Sequence, residues 1–124
     1  MNSKIFMILR ILLGIFVLVF GINKFANFLP APEGMSADAA TFFGALVNAK
    51  TMTLVAIVEI AAGLTFITNK FGALMAIILM SVSVNAVLYH AVLDPGNIPP
   101  AIGLLVLNAA VLYGYKDKYK TLLN

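Results

Sequence analysis

Seven charged, amide or imidazole residues sit inside otherwise apolar stretches of the chain: Arg10, Asn23, Lys24, Glu59, Asn85, His90 and Asn108. Such groups are costly in apolar surroundings unless they meet a partner or a ligand, so each is a candidate for chemistry. Glu59 is the sharpest. Set between Val58 and Ile60, its carboxylate must take up a proton or find a cation. Arg10 and Lys24 compete for it. A guanidinium holds a carboxylate through two parallel hydrogen bonds and keeps its proton, so a buried Arg10–Glu59 ion pair is the expectation. That pair either belongs to a site or only fixes helix register. His90 precedes Asp94 by four residues, a spacing that lets the carboxylate orient the imidazole. It suits a hydrogen-bond donor or proton relay; the plainer alternative is a histidine bonded to a neighbouring helix. One histidine with one carboxylate is too few ligands for a metal, so no metal site is expected. Asn108 reads as glue between helices.

Absences narrow the chemistry further. The chain has no cysteine, which excludes a disulfide, a thiolate metal site, a cysteine-ligated iron–sulfur cluster and dithiol chemistry of its own. A single histidine excludes a haem held between two histidines of one chain, though not one shared with a partner. No cofactor is therefore carried by this chain's own ligands. The net charge is +3, but no run of five basic residues is present, so nucleic acid is not an expected partner.

The elements that position these residues follow from composition. Of 124 residues, 62% are hydrophobic and 10% charged, an excess that a soluble domain of this size cannot bury. Lipid removes the conflict. A span needs roughly 20 mostly apolar residues. The sequence predicts spans over about 5–28, 51–68, 71–93 and 98–115. The first is read as a helix that stays, not a cleaved signal, because Arg10 interrupts it and no small-x-small site follows Lys24. Pro30 and Pro32 end it, and Asp94-Pro95-Gly96 ends the third. Between the first two spans, Ser36 and Asp38 open a short helix over about 37–48, too short to cross and expected to lie on the outer side. The fold class is thus all-α, an integral membrane four-helix bundle with a short outer-side interfacial helix, one domain over 1–124.

Short connections make consecutive helices antiparallel, and an even number of spans puts both termini on one side. That side would hold Lys4, Arg10, Lys70, Lys116, Lys118 and Lys120; the other would hold Lys24 and Lys50. The asymmetry places both termini in the cytoplasm. Along the first span, Arg10, Gly14, Val17, Gly21 and Lys24 recur in steps of four and three, one stripe turned toward protein. By rise per residue, Arg10 stands roughly 9 Å and Glu59 roughly 13 Å from the inner ends of their helices, which a guanidinium arm can bridge.

Three segments carry a family resemblance: Arg10-Ile-Leu-Leu-Gly14 leading to Phe20-Gly21-Ile22-Asn23-Lys24-Phe25; then Val58-Glu59-Ile60-Ala61-Ala62-Gly63-Leu64; then Asn85 to His90. Over about residues 4–120 the chain resembles the DoxX-like family of small four-helix membrane proteins. The resemblance implies a bacterial inner membrane and a place among quinone-linked oxidoreductases, including thiosulfate:quinone and terminal quinol oxidase systems. Oxidative-stress complexes and membrane-protein assembly are also implied. Roles that depend on thiols are at odds with the missing cysteines.

The function expected from the sequence is therefore an accessory subunit of a quinone-linked or oxidative-stress membrane redox complex. Its site is an outer-half pocket built by Lys24, Glu59, Asn85 and His90, beneath the 37–48 helix. The ligand would have a long apolar body and a head that accepts hydrogen bonds, a quinone or a lipid. The alternative is a non-enzymatic module that binds lipid or another apolar molecule, or helps a membrane protein assemble. Membrane lipid, a partner membrane protein and a second copy of the chain are the candidate partners.

Overall fold

The computed structural model describes residues 1–123. Its elements are α1 (Ser3–Ala26), α2 (Ala37–Asn48), α3 (Thr51–Thr68), α4 (Gly72–Leu93) and α5 (Pro99–Gly114), with 3-10 turns over Pro95–Asn97 and Lys116–Leu122. Among the described residues there is no strand. The protein is an all-helical, multi-pass membrane protein. α1, α3 and α4 are long and apolar enough to cross a bilayer, and α5 is a shorter apolar helix of 16 residues.

Local chemistry sets the ends. Asn2 accepts from the amides of Lys4 and Ile5, so α1 begins at Ser3. Asn27 turns left-handed at φ 53° and stops α1 at Ala26, two residues before the sequence suggested. Ser36 caps α2 by accepting from Ala39 N at 3.1 Å. Asn69 and Phe71, at φ 55° and 61°, fold the chain back between α3 and α4, so Phe71 caps α4 rather than opening it.

α1 packs on α3, α3 on α4, α4 on α5, and α5 back on α1, closing a four-helix ring. α2 lies outside the ring against α3 and α4, where the Tyr89 hydroxyl donates to Ala39 O at 3.4 Å and its ring stacks on Phe42. Leu13, Val17, Phe66, Leu79, Leu104 and Val111 fill the centre. The α1–α3 contact is the tightest. A Cβ at Gly63 would stand 2.8 Å from Gly14 O, and one at Gly14 would stand 3.1 Å from Gly63 O, so neither backbone admits a side chain.

The two ends of the bundle differ. At one, the terminal end, the Tyr115 hydroxyl donates to Asn69 Oδ1 at 2.6 Å and that of Tyr119 to Ala73 O at 2.7 Å. Phe6 meets Tyr115 edge-on there, so the start of α1, the segment after α5 and the α3–α4 turn share this end. At the other, the loop end, Ser36 donates to Leu93 O at 2.8 Å and Asn97 to Glu33 O at 2.9 Å, tying the segment after α1 to the end of α4.

Candidate functional site

Glu59 is buried on the α3 face that meets α1, its Cβ pressed against the backbone of Gly21. One turn further along α1, Lys24 Nζ stands 2.7 Å from Glu59 Oε1, the two side chains 22% and 4% exposed. The contact is a close ion pair across the α1–α3 interface. The expected Arg10–Glu59 pair is not formed. The Arg10 guanidinium instead donates to the carbonyls of Phe66 and, at 3.4 Å, Ile67. Both lie in the last turn of α3, where carbonyls have no helical partner and the helix end attracts cations. Arg10 thus caps α3, and its Nε is left without a partner.

His90 stands at the loop end of α4. Its Nδ1 is 3.4 Å from Asp94 Oδ2 and 3.3 Å from Asp94 O. Both neighbours accept, so Nδ1 donates to them, and in the neutral ring Nε2 then carries the lone pair. Asp94 is buried, and both its carboxylate oxygens accept from Asn97 Nδ2 at 3.1 Å. Since that amide nitrogen also serves Glu33 O, the oxygen of Asn97 remains an acceptor. Sequence reasoning missed Asn97, although its place three residues after Asp94 in a proline–glycine turn was the available signal.

A cavity of about 440 Å³ opens beside this cluster. Phe20 and the prolines 30, 32, 99 and 100 wall it, and His90 and Asn97 are its polar groups. It lies beneath the proline segment that follows α1. Of the four residues expected to line one pocket, His90 lines this cavity and Lys24, Glu59 and Asn85 do not. Lys24 and Glu59 face each other across the α1–α3 contact. Asn85 points away from the bundle and donates to Ser81 O of its own helix at 2.7 Å. Asn23 is spent on the chain, accepting from Leu29 N at 2.7 Å where the segment leaves α1. Asn108 is fully buried between α4 and α5; it accepts from Ser83 Oγ at 2.7 Å and donates to Ala76 O at 3.0 Å, a structural bridge. A second cavity, about 560 Å³, lies at the terminal end around Phe6, Gly72 and Tyr115.

The arrangement of α1, α3 and α4 with their polar residues can be compared with known proteins. The profile of the family described as DoxX matches residues 5–91, which takes in Arg10, Lys24, Glu59 and His90. The chain belongs to the DoxX family. No curated protein and no solved structure matches it significantly. The DoxX match ends within α4, so Asp94, Asn97 and the prolines at the start of α5 lie beyond it. Part of the cavity wall therefore comes from the segment that follows the matched region.

Proposed function

We propose that this DoxX protein is an accessory subunit of a membrane redox complex that holds the head of a quinol at the loop end of its bundle. The observation that carries the reading is the cavity of about 440 Å³ with proline and phenylalanine walls, lined also by His90 and Asn97, whose uncommitted groups, Nε2 and the side-chain oxygen, are acceptors. Apolar walls with a few convergent polar groups are the usual form of a small-molecule site of this size. The acceptors decide the redox form. A quinone offers only carbonyl oxygens, which would face lone pairs. A quinol offers two hydroxyls, each able to donate. The sequence led to a head that accepts hydrogen bonds; the groups left free around the cavity favour one that donates.

The chain's own residues have defined parts. Asp94 holds the imidazole in the tautomer that accepts, Asn97 fixes Asp94, and Phe20 with the prolines offers apolar walls to the ring. When bound, the quinol would supply the electrons, and a partner subunit would take them, since this chain has no cysteine and one histidine. With the basic end in the cytoplasm, the cavity lies in the outer half of the membrane.

Binding of a short-tailed quinol to the purified protein in lipid nanodiscs tests the reading. His90→Phe should weaken it by about threefold to tenfold, the size of one hydrogen bond, and Phe20→Trp should weaken it by filling the cavity. Tighter binding of the quinone than of the quinol would overturn the assignment. If neither binds and only phospholipid is retained, the lipid-binding alternative takes its place.

A further inference from the structure

α4 carries a second pattern, on the face turned away from the bundle. Positions 71, 74, 78, 81, 85, 88 and 92 step alternately by three and four, from the cap of the helix to its last turn. All seven are exposed, the apolar ones from 39% at Ile78 to 78% at Phe71. The residues that α4 turns inward, Ala76, Leu79 and Ser83, are fully buried. An outward apolar face alone would mean only contact with lipid. Here two positions are polar. Ser81 satisfies its hydroxyl on Ile78 O at 2.7 Å within its own helix. Asn85 cannot satisfy itself in the same way. One amide hydrogen goes to Ser81 O, which leaves the second hydrogen and the side-chain oxygen without partners on a face turned to hydrocarbon. By rise per residue, Asn85 lies about 20 Å from the start of α4 and about 12 Å from its end, well inside the core of a bilayer.

We propose that this face binds a second copy of the chain, forming a parallel two-fold dimer along α4 with Asn85 at its centre. Three features select a second copy. The free groups of Asn85 are one donor and one acceptor, a self-complementary pair: each side-chain oxygen accepts from the other copy's amide. Every copy enters the membrane with the same orientation, so copies are related by rotation about the membrane normal, and Asn85 meets Asn85 at equal depth without any adjustment. The seam also has the composition of a parallel two-stranded pair. Phe71 at the helix cap, then Ile78, Asn85 and Val92 within α4, occupy one register position, and Leu74, Ser81 and Leu88 the other. β-Branched residues in the first position with leucine in the second favour two strands, and a single asparagine in the first fixes alignment. Ser81, the small residue of the second set, lets the backbones approach beside the amides. The seam does not include His90, so a dimer leaves the loop-end cavity open.

The native chain has no cysteine, which permits a clean test in the intact protein. Under mild oxidation in native membranes, Leu88→Cys and Leu74→Cys should each form a disulfide-linked dimer. Leu54→Cys on α3 and Val106→Cys on α5, both lipid-facing, should remain monomeric. Energy transfer between labelled copies in vesicles should show Asn85→Leu weakening association by about threefold to thirtyfold, the range measured for interhelical polar contacts in membranes. Asn85 is exposed and its hydrogen bond stays within α4, so this variant keeps its fold. Three results would overturn the proposal: association unchanged by Asn85→Leu, equal cross-linking from α3 and α5, or cross-links from Leu88→Cys only to a different protein.

Discussion

Glu59 shows how a buried charge chooses its partner by what else competes for each cation. On chemistry alone a guanidinium is the better match, yet Arg10 has a nearer claim in the open carbonyls of Phe66 and Ile67. The carboxyl and those carbonyls lie seven and eight residues apart on α3, about 11 Å along the axis. Arg10 therefore serves the helix end and Lys24 the carboxylate. Removing one member of a buried pair strands the other and costs about 3–5 kcal/mol. Lys24 keeps some contact with its surroundings, so the lower figure applies. In a thermal-stability cycle, Lys24→Met and Glu59→Gln should cost less together than the sum of the two alone. Arg10→Met and Glu59→Gln should add, because the sites share no partner. Additivity in the first cycle, or strong coupling in the second, would contradict the observed pairing. The sequence made legible that Glu59 needs a cation on α1. It did not reveal which one, because depth counted along two separate helices ignores how a helix terminus draws a cation.

At the scale of elements, the glycine stripe on α1 was readable as a face turned toward protein, and its counterpart on α3 is Gly63. Gly63→Val forces atoms into a backbone contact of 2.8 Å. Overpacking of this kind typically costs about 1–3 kcal/mol. Gly44→Ala on α2, where a Cβ meets nothing within 4 Å, should be neutral or slightly stabilising. Melting of the two variants in one detergent checks both. The tail after α5 gives a pH signature. Burial, with Tyr115 nearby, pushes the Tyr119 phenol from 10.0 up to about 12. The folded state therefore holds this proton more tightly than the unfolded one. Its contribution is complete below pH 10 and disappears as pH rises through about 12. Tyr119→Phe should abolish the last phenolate step in an ultraviolet titration and flatten the stability loss over that window. What the sequence could not give was the single outer pocket. Lys24, Glu59, Asn85 and His90 share a half of the bundle, but they sit on three helices, and depth says nothing about rotation. Asn85 and His90 are five residues apart, about 140° around α4, and so face opposite ways.

For the whole molecule, the sequence made the four apolar helices, the short outside helix and their antiparallel order legible, because hydropathy and proline placement are local signals. Orientation rests on charge asymmetry and has its own test. Single cysteines at Ser3 and Asn69 should resist an impermeant thiol reagent in intact cells, and one at Ser36 should react. Labelling of Asn69 from outside would reverse the orientation assigned to the bundle.

The Arg10 cap also imposes an order of events during synthesis. Its acceptors lie 56 and 57 residues later in the chain. Until the end of α3 leaves the ribosome, the first helix carries a guanidinium with nothing to hold it. The helix can cross the membrane in that interval, but it cannot settle there at low cost. Residence of the nascent protein in the insertion machinery should therefore last until Ile67 has emerged. Chains truncated after Leu64, which keep Glu59 for Lys24 but lack the acceptors of Arg10, should be extracted from membranes by alkali more readily than chains truncated after Asn69. With Arg10→Leu, the two lengths should behave alike. A wild-type first helix that resists extraction equally at both lengths would show that the cap forms after insertion is complete and plays no part in it.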